Sequence, residues 1–189
     1  MLLCPRPIGV ALKANNGTAF ERRPEVLSTW KTIIWRQYGA AIDMLENAIR
    51  ECPHEVWGDH VHWQAYWYIA YHAVFFLDFY MSETDEGFAP PPPFTLNELD
   101  PAGVLPERVY TKEEVLAYLE YGRRKCRAKI DALTDEQIGQ DSGSLRPGIT
   151  VAELLLYNMR HVQHHAAQLN LILRQTINSA PRWVAKAKD

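Results

Sequence analysis

Cysteine is scarce in this chain and unpaired: Cys4, Cys52 and Cys126 stand at unrelated spacings along 189 residues. An odd number of thiols with no C-x-x-C spacing argues against a disulfide framework and against a cysteine-based zinc knuckle. It fits a reducing compartment, the cytoplasm. Excess positive charge is also missing. Lys and Arg total 20 against 23 Asp and Glu, for a net charge of −3, and no basic stripe emerges, so neither nucleic acid nor an anionic membrane surface is favoured as a partner. The first residues lack a basic segment and are broken by Pro5, Pro7 and Gly9, which makes a poor signal peptide. Residues 1–24 read as a loosely ordered leader. No strand run and no internal repeat shows. The one long apolar run, residues 63–81, is interrupted by Gln64, His72 and Asp78 and is rich in Tyr and Trp. It reads as a buried helix of a soluble protein, not as a membrane span.

What the chain does have is hydrophobic and aromatic bulk. Hydrophobic residues make up 47% of the sequence, with six Trp, nine Tyr and six Phe, ample for one ring-lined core in a single domain. Four stretches carry helical signals. The first, residues 28–50, repeats apolar residues at helical spacing (Ile34, Tyr38, Ala41, Leu45, Ala48, Ile49) and is ended by Pro53. The second, residues 61–81, is apolar nearly all round and predicts the most buried helix. The third opens at Thr111-Lys-Glu-Glu114, a capping box, and continues through Val115, Leu116, Leu119, Cys126, Ile130 and Leu133. The fourth opens at a second capping box, Thr150 to Glu153, after Pro147 and Gly148, and runs to about Thr176.

Residues 82–110 form a long connection containing the run Pro90–Pro93, Pro101 and Pro106. Consecutive prolines exclude helix and favour an extended polyproline conformation. A connection this long is either functional or a crossover strap; a proline-recognition motif is the competing reading of the run. As a crossover it lets helices two and three lie parallel instead of forming a hairpin. The predicted fold is therefore all-α, a four-helix bundle spanning residues 25–178 with a long crossover between helices two and three. Residues 179–189 read as a frayed tail.

Histidine placement carries the functional signal. His161 and His165 stand four residues apart in helix four, and at about 100° per residue they fall within about 40° of each other, inside the apolar stripe with Leu154, Leu169 and Ile172. His164 falls about 60° to the other side, on the flank. Two inward imidazoles need partners for their nitrogens or suffer desolvation, and a shared metal ion satisfies one nitrogen of each. Hydrogen-bonded core histidines are the alternative. His72 sits in the most apolar segment, where periodicity cannot say which way it points. His54, His60 and His62 cluster around a Pro53–Gly58 turn and read as surface residues or residues leading into helix two. Asp78 lies about 120° from His72 on its helix. Asn158 and Gln168 are candidates for orienting a histidine or capping the polar edge of the core, and Tyr68 and Phe76 for lining the site.

One histidine in WYIAYHAVFFLDFYM and an H-x-x-x-H pair in NMRHVQHHAAQL, together with the helix order and the long crossover, resemble the DinB-like (DinB/YfiT) superfamily over roughly residues 25–176. The resemblance implies a four-helix bundle holding a divalent metal, zinc or nickel, on three histidines, which here are His72, His161 and His165. No ligand role carries over to His164. It also implies a homodimer. Several members of the family resemble thiol-dependent S-transferases or isomerases that act with a low-molecular-weight thiol. Three histidines leave a coordination position open, the mark of a catalytic site. Metal-activated thiol transfer and metal-assisted hydrolysis both fit, as does a non-catalytic dimeric bundle that binds metal for stability. No catalytic side chain beyond the metal ligands can be named, and a small-molecule substrate is expected.

Overall fold

A computed structural model describes residues 24–58 and 64–187 of the chain. Residues 1–23 of the expected leader, with Cys4 among them, and His60 and His62 lie outside the described residues, while Pro24 belongs to the first helix.

Helix α1, Pro24–Glu51, carries the apolar stripe expected of it: Ile34, Tyr38, Ala41, Leu45, Ala48 and Ile49 are all buried. It stops two residues before Pro53, because the residue preceding a proline is pushed out of the helical region. A single helical turn follows, α2, His54–Trp57, in place of the simple turn predicted there. His54 is exposed, as expected.

The aromatic stretch becomes α3, Tyr66–Phe79. It is shorter than the predicted 61–81. At its end the N–H groups of Met81 and Ser82 bond to carbonyls three residues back, at Asp78 and Phe79 (both 3.0 Å), which tightens the chain out of the α-helix. Eleven of its fourteen residues are buried, against six of twenty-one in α4 (Lys112–Ala132) and eight of twenty-seven in α5 (Val151–Ile177), so α3 is the central element. Both capping boxes form. The Thr111 hydroxyl accepts from the Glu114 N–H while Glu114 accepts from the Thr111 N–H, and Thr150 and Glu153 repeat the pattern at α5. Asn178 closes α5 in the left-handed conformation, φ 55°.

Contacts between helix ends fix the directions. Trp67, near the start of α3, packs edge-on against Tyr110, just before α4 (5.9 Å between ring centres), and Asp78, near the end of α3, meets Lys125 in the second half of α4. The two helices run parallel, as the long crossover predicts. Helix α5 runs antiparallel to α3: Asn158, early in α5, donates to the carbonyl of Leu77, late in α3 (3.2 Å). Helix α1 runs antiparallel to α4, since Lys31 reaches the Asp131 carbonyl and Lys112 the Cys52 carbonyl. Each of α1 and α3 packs on both α4 and α5, which gives an up–down–down–up bundle around one aromatic core. Close approach of α3 and α4 needs Gly122, where an added Cβ would stand 3.0 Å from Leu77 Cδ2.

Phe94 pins the crossover at the end of the proline run. Its buried ring stacks on Tyr71 (5.6 Å) and Tyr118 (4.5 Å), and Leu96–Leu99 then form a 3₁₀ turn over α3. Burying a ring of this size contributes about 1.5–3 kcal/mol. The segment after Ser179 does not leave the bundle. It lies along α1, where the Val184 N–H meets Met44 Sδ, the Gln37 amide donates to the Ala185 carbonyl, and the Ala187 N–H donates to the Arg36 carbonyl (2.8 Å). Gly39 makes the notch for it: a Cβ there would come within 2.6 Å of the Ala187 methyl. Among the described residues no helix is long and apolar enough to cross a membrane.

Candidate metal centre

The capping box at Thr150 sets the phase of α5, and three turns later that phase turns His161 and His165 toward α3. Antiparallel packing brings the middle of α3, with His72, level with them. One side-chain nitrogen from each of the three histidines lies within 4.8 Å of the other two, and no other such group of His, Cys, Asp or Glu occurs among the described residues. His161 Nε2 stands 3.3 Å from His72 Nε2 and 3.1 Å from His165 Nε2. His164, one residue from His165 in sequence, is exposed and takes no part in the group, as its flank position predicts.

Hydrogen bonds at the far side of two rings decide where their protons sit. His72 Nδ1 is 2.6 Å from Glu98 Oε2. An ionised carboxylate only accepts, so Nδ1 carries the hydrogen and a neutral His72 presents a bare Nε2. His165 Nδ1 is 2.7 Å from Gln168 Oε1, which leaves Nε2 of His165 bare in the same way. Burial first, then the neighbouring imidazoles, lowers the pKa of His161 to about 3; burial and then His72 lower that of His165 to about 4. Both rings are neutral at pH 7. With Nε2 of His72 bare as well, two lone pairs face the single Nε2 of His161, and one proton there cannot serve both well. A cation can.

Spacing agrees with that. Two nitrogens each about 2.0–2.1 Å from a tetrahedral zinc stand about 3.3–3.4 Å apart, close to the 3.3 and 3.1 Å found. The three rings present nitrogen donors of the type that zinc and nickel take, and three protein donors leave a position open.

Around the histidines the walls are aromatic. Phe76 stands 4.9 Å from the His72 ring and 5.5 Å from the His161 ring, and Tyr68 stands 6.3 Å from His72. A cleft of about 450 Å³, lined by Tyr68, Ile69, His72, Phe76, Glu98 and His165 among others, opens onto one side of the group. A smaller recess of about 320 Å³ between Tyr157, Arg160, His161 and His164 opens onto the other.

The other residues singled out in the sequence divide between site and scaffold. Gln168 orients His165. Asn158 serves the scaffold, its amide donating to the Leu77 carbonyl across the α3–α5 contact. Asp78, fully buried, faces α4, where Lys125 pairs with one carboxylate oxygen and the Tyr118 hydroxyl donates to the other (2.9 Å). Glu98 is the residue that sequence reasoning missed. It lies 26 positions from His72 in a stretch without periodicity, and the length of the connection was its sole signal.

The family model described as the DinB superfamily matches residues 37–169, more than half of the chain and all three histidines. Curated proteins and solved structures give no match. With the helix order, the crossover and the three convergent histidines inside the matched region, the chain belongs to the DinB superfamily.

Proposed function

We propose that this protein is a divalent-metal-dependent enzyme in which His72, His161 and His165 hold one zinc or nickel ion, and that it transfers a low-molecular-weight thiol to a small electrophile. The observation that carries the proposal is the convergence of three imidazoles, with His161 Nε2 3.3 Å from His72 Nε2 and 3.1 Å from His165 Nε2, beside a cleft of about 450 Å³. A metal bound there supplies positive charge that keeps a thiol ionised near neutral pH.

The chain's own residues do the rest. His165 and His72 are held in the ligating tautomer by Gln168 and Glu98. Phe76 and Ile69 line the cleft with apolar surface, which disfavours water. The thiol has to come from outside. Burial raises the Cys52 thiol to about 12 and also raises that of Cys126, neither lines the cleft, and both are buried. Hydrolysis finds less support. It needs a free base; Asp78 is consumed by Lys125 and Tyr118, and Glu98 is held through Oε2 on His72 Nδ1, on the far side of the ring from the converging Nε2 atoms.

The family resemblance suggests that two copies associate, and exposed apolar residues along the outer faces of α1 and α5, such as Ile33 and Leu171, offer surface for it. The working compartment is the cytoplasm, in keeping with free buried thiols.

Elemental analysis of the purified protein, beside the His161→Ala/His165→Ala double variant, is the test. Near one zinc or nickel per chain, lost in the variant, supports the site, and turnover of a model electrophile with a panel of small thiols then supports the reaction. No metal in either protein after incubation with both ions overturns the proposal. Metal with ester or amide hydrolysis in place of thiol transfer overturns the reaction alone.

A further inference from the structure

The crossover delivers one side chain to the metal centre, and it is built to hold that side chain still. On the N-terminal side of the 3₁₀ turn Leu96–Leu99, Phe94 is locked among Tyr71, Tyr110 and Tyr118, and the Tyr71 hydroxyl donates to the Thr95 carbonyl (3.2 Å). Next to Glu98, the Asn97 amide donates to the Leu105 carbonyl (3.2 Å), closing the loop on itself. Glu98 is thus aimed into the bundle from a backbone anchored at Phe94 and Thr95 and closed through Asn97 onto Leu105. Its side chain is 4% exposed, and its carboxylate meets His72 Nδ1 at 2.6 Å with the Tyr68 phenol, one helical turn earlier, beside it.

Among the described residues no Lys or Arg pairs with this carboxylate; His72 is its ion-pair partner. A buried carboxylate without a cation is costly. A divalent ion on the opposite nitrogen of the same imidazole provides the missing charge, transmitted through the ring. We infer that Glu98 is the positioning residue of the metal centre: it fixes His72 with Nδ1 protonated and Nε2 bare, strengthens that ring as a donor, and ties the crossover to the loaded site. This rests on the proposed metal site. Its general basis is that ligating histidines donate their other N–H to an acceptor, and that losing that acceptor costs about 10–100-fold in metal affinity. A competing arrangement is a plain ion pair, in which Glu98 holds His72 protonated on both nitrogens. The two differ in sign, because removing the carboxylate weakens metal binding in the first and strengthens or spares it in the second.

The experiment is zinc titration against a chromophoric chelator at pH 7.5, with the wild type, Glu98→Gln, Glu98→Ala, His72→Ala and the His72→Ala/Glu98→Ala double variant. Helicity is followed by circular dichroism. Glu98→Ala is expected to bind zinc about 10–100-fold more weakly. Glu98→Gln should fall between it and the wild type, since an amide oxygen accepts the Nδ1–H without the charge. The double variant should bind no more weakly than His72→Ala alone, because Glu98 acts through His72. Cobalt(II) loaded in place of zinc should show a changed visible absorption in Glu98→Gln, a signature that a purely structural role would not move. Wild-type-like or tighter binding in Glu98→Ala overturns the inference. Should Glu98→Ala lose helicity, Glu98→Gln decides, with unchanged affinity and unchanged cobalt spectrum counting against it. Failure of the wild type to take up zinc instead sinks the metal site itself.

Discussion

At the scale of single residues, the histidines test the facing argument most directly. His165→Ala should abolish stoichiometric metal while helicity stays close to that of the wild type; His164→Ala, altering an exposed ring outside the group, should leave both intact. Equal metal loss in the two variants would refute the facing argument. The cysteines give an independent check. With Cys52 raised to about 12 and Cys126 fully buried, neither is a thiolate at pH 8, so a thiol-specific chromogenic reagent should label them slowly in the native protein and rapidly in denaturant. Rapid native labelling at either position, located by peptide mapping, would contradict the burial described. These residues also show how far the sequence reaches. The inward turn of His161 and His165 is legible because a helix converts spacing into angle. The orientation of His72 is not, since an all-apolar helix carries no phase. Glu98 is invisible for a stronger reason: in a connection without periodicity nothing converts position in sequence into position in space.

Elements behave differently from residues, because caps and breakers act locally. Thr111 with Glu114, Thr150 with Glu153, and Pro53 each act within one turn, and the helix starts and stops that they mark are found where the sequence puts them. Removing the α5 cap with Thr150→Ala should cost about 0.5–2 kcal/mol in urea denaturation. What joins elements was less legible. Asp78, set about 120° from His72 by helical spacing, lies on the face of α3 turned to α4, but its partners there, Lys125 and Tyr118, could not be read from the sequence. Lys125→Met leaves that carboxylate buried without its cation and should destabilise the fold by about 3–5 kcal/mol. A loss under about 1 kcal/mol would mean that the pair is solvated and dispensable. The crossover has a prediction of its own. Adding zinc to the apo protein should slow hydrogen exchange of backbone amides around Leu96–Leu99, through Glu98 and His72, more than those in the middle of α4.

For the whole molecule, the length of the connection permits the parallel run of α3 and α4 that the structure has, whereas nothing in the sequence points to the path of the tail. Residues 180–187 were expected to fray and instead cross α1 at Gly39. No periodic pattern announces such a strip; small residues at Gly39 and Ala187 merely permit the approach. Gly39→Leu should displace the strip, exposing Ala187 and increasing protease cleavage after Lys186, while zinc uptake remains unchanged.

The division of the site between α3 and α5 has a consequence for biosynthesis. His72 leaves the ribosome 89 residues ahead of His161, an interval of roughly 4–18 s at ordinary elongation rates. Throughout that interval a nascent chain offers one imidazole of the three, too few to capture an ion. Helix α5, the last of the bundle's helices in chain order, also packs beside α1, the first of them, so its arrival completes the core and the donor set together. The proposed three-histidine site is therefore complete only once α5 has emerged and packed, and a chain cut short before Val151 offers one of its three donors.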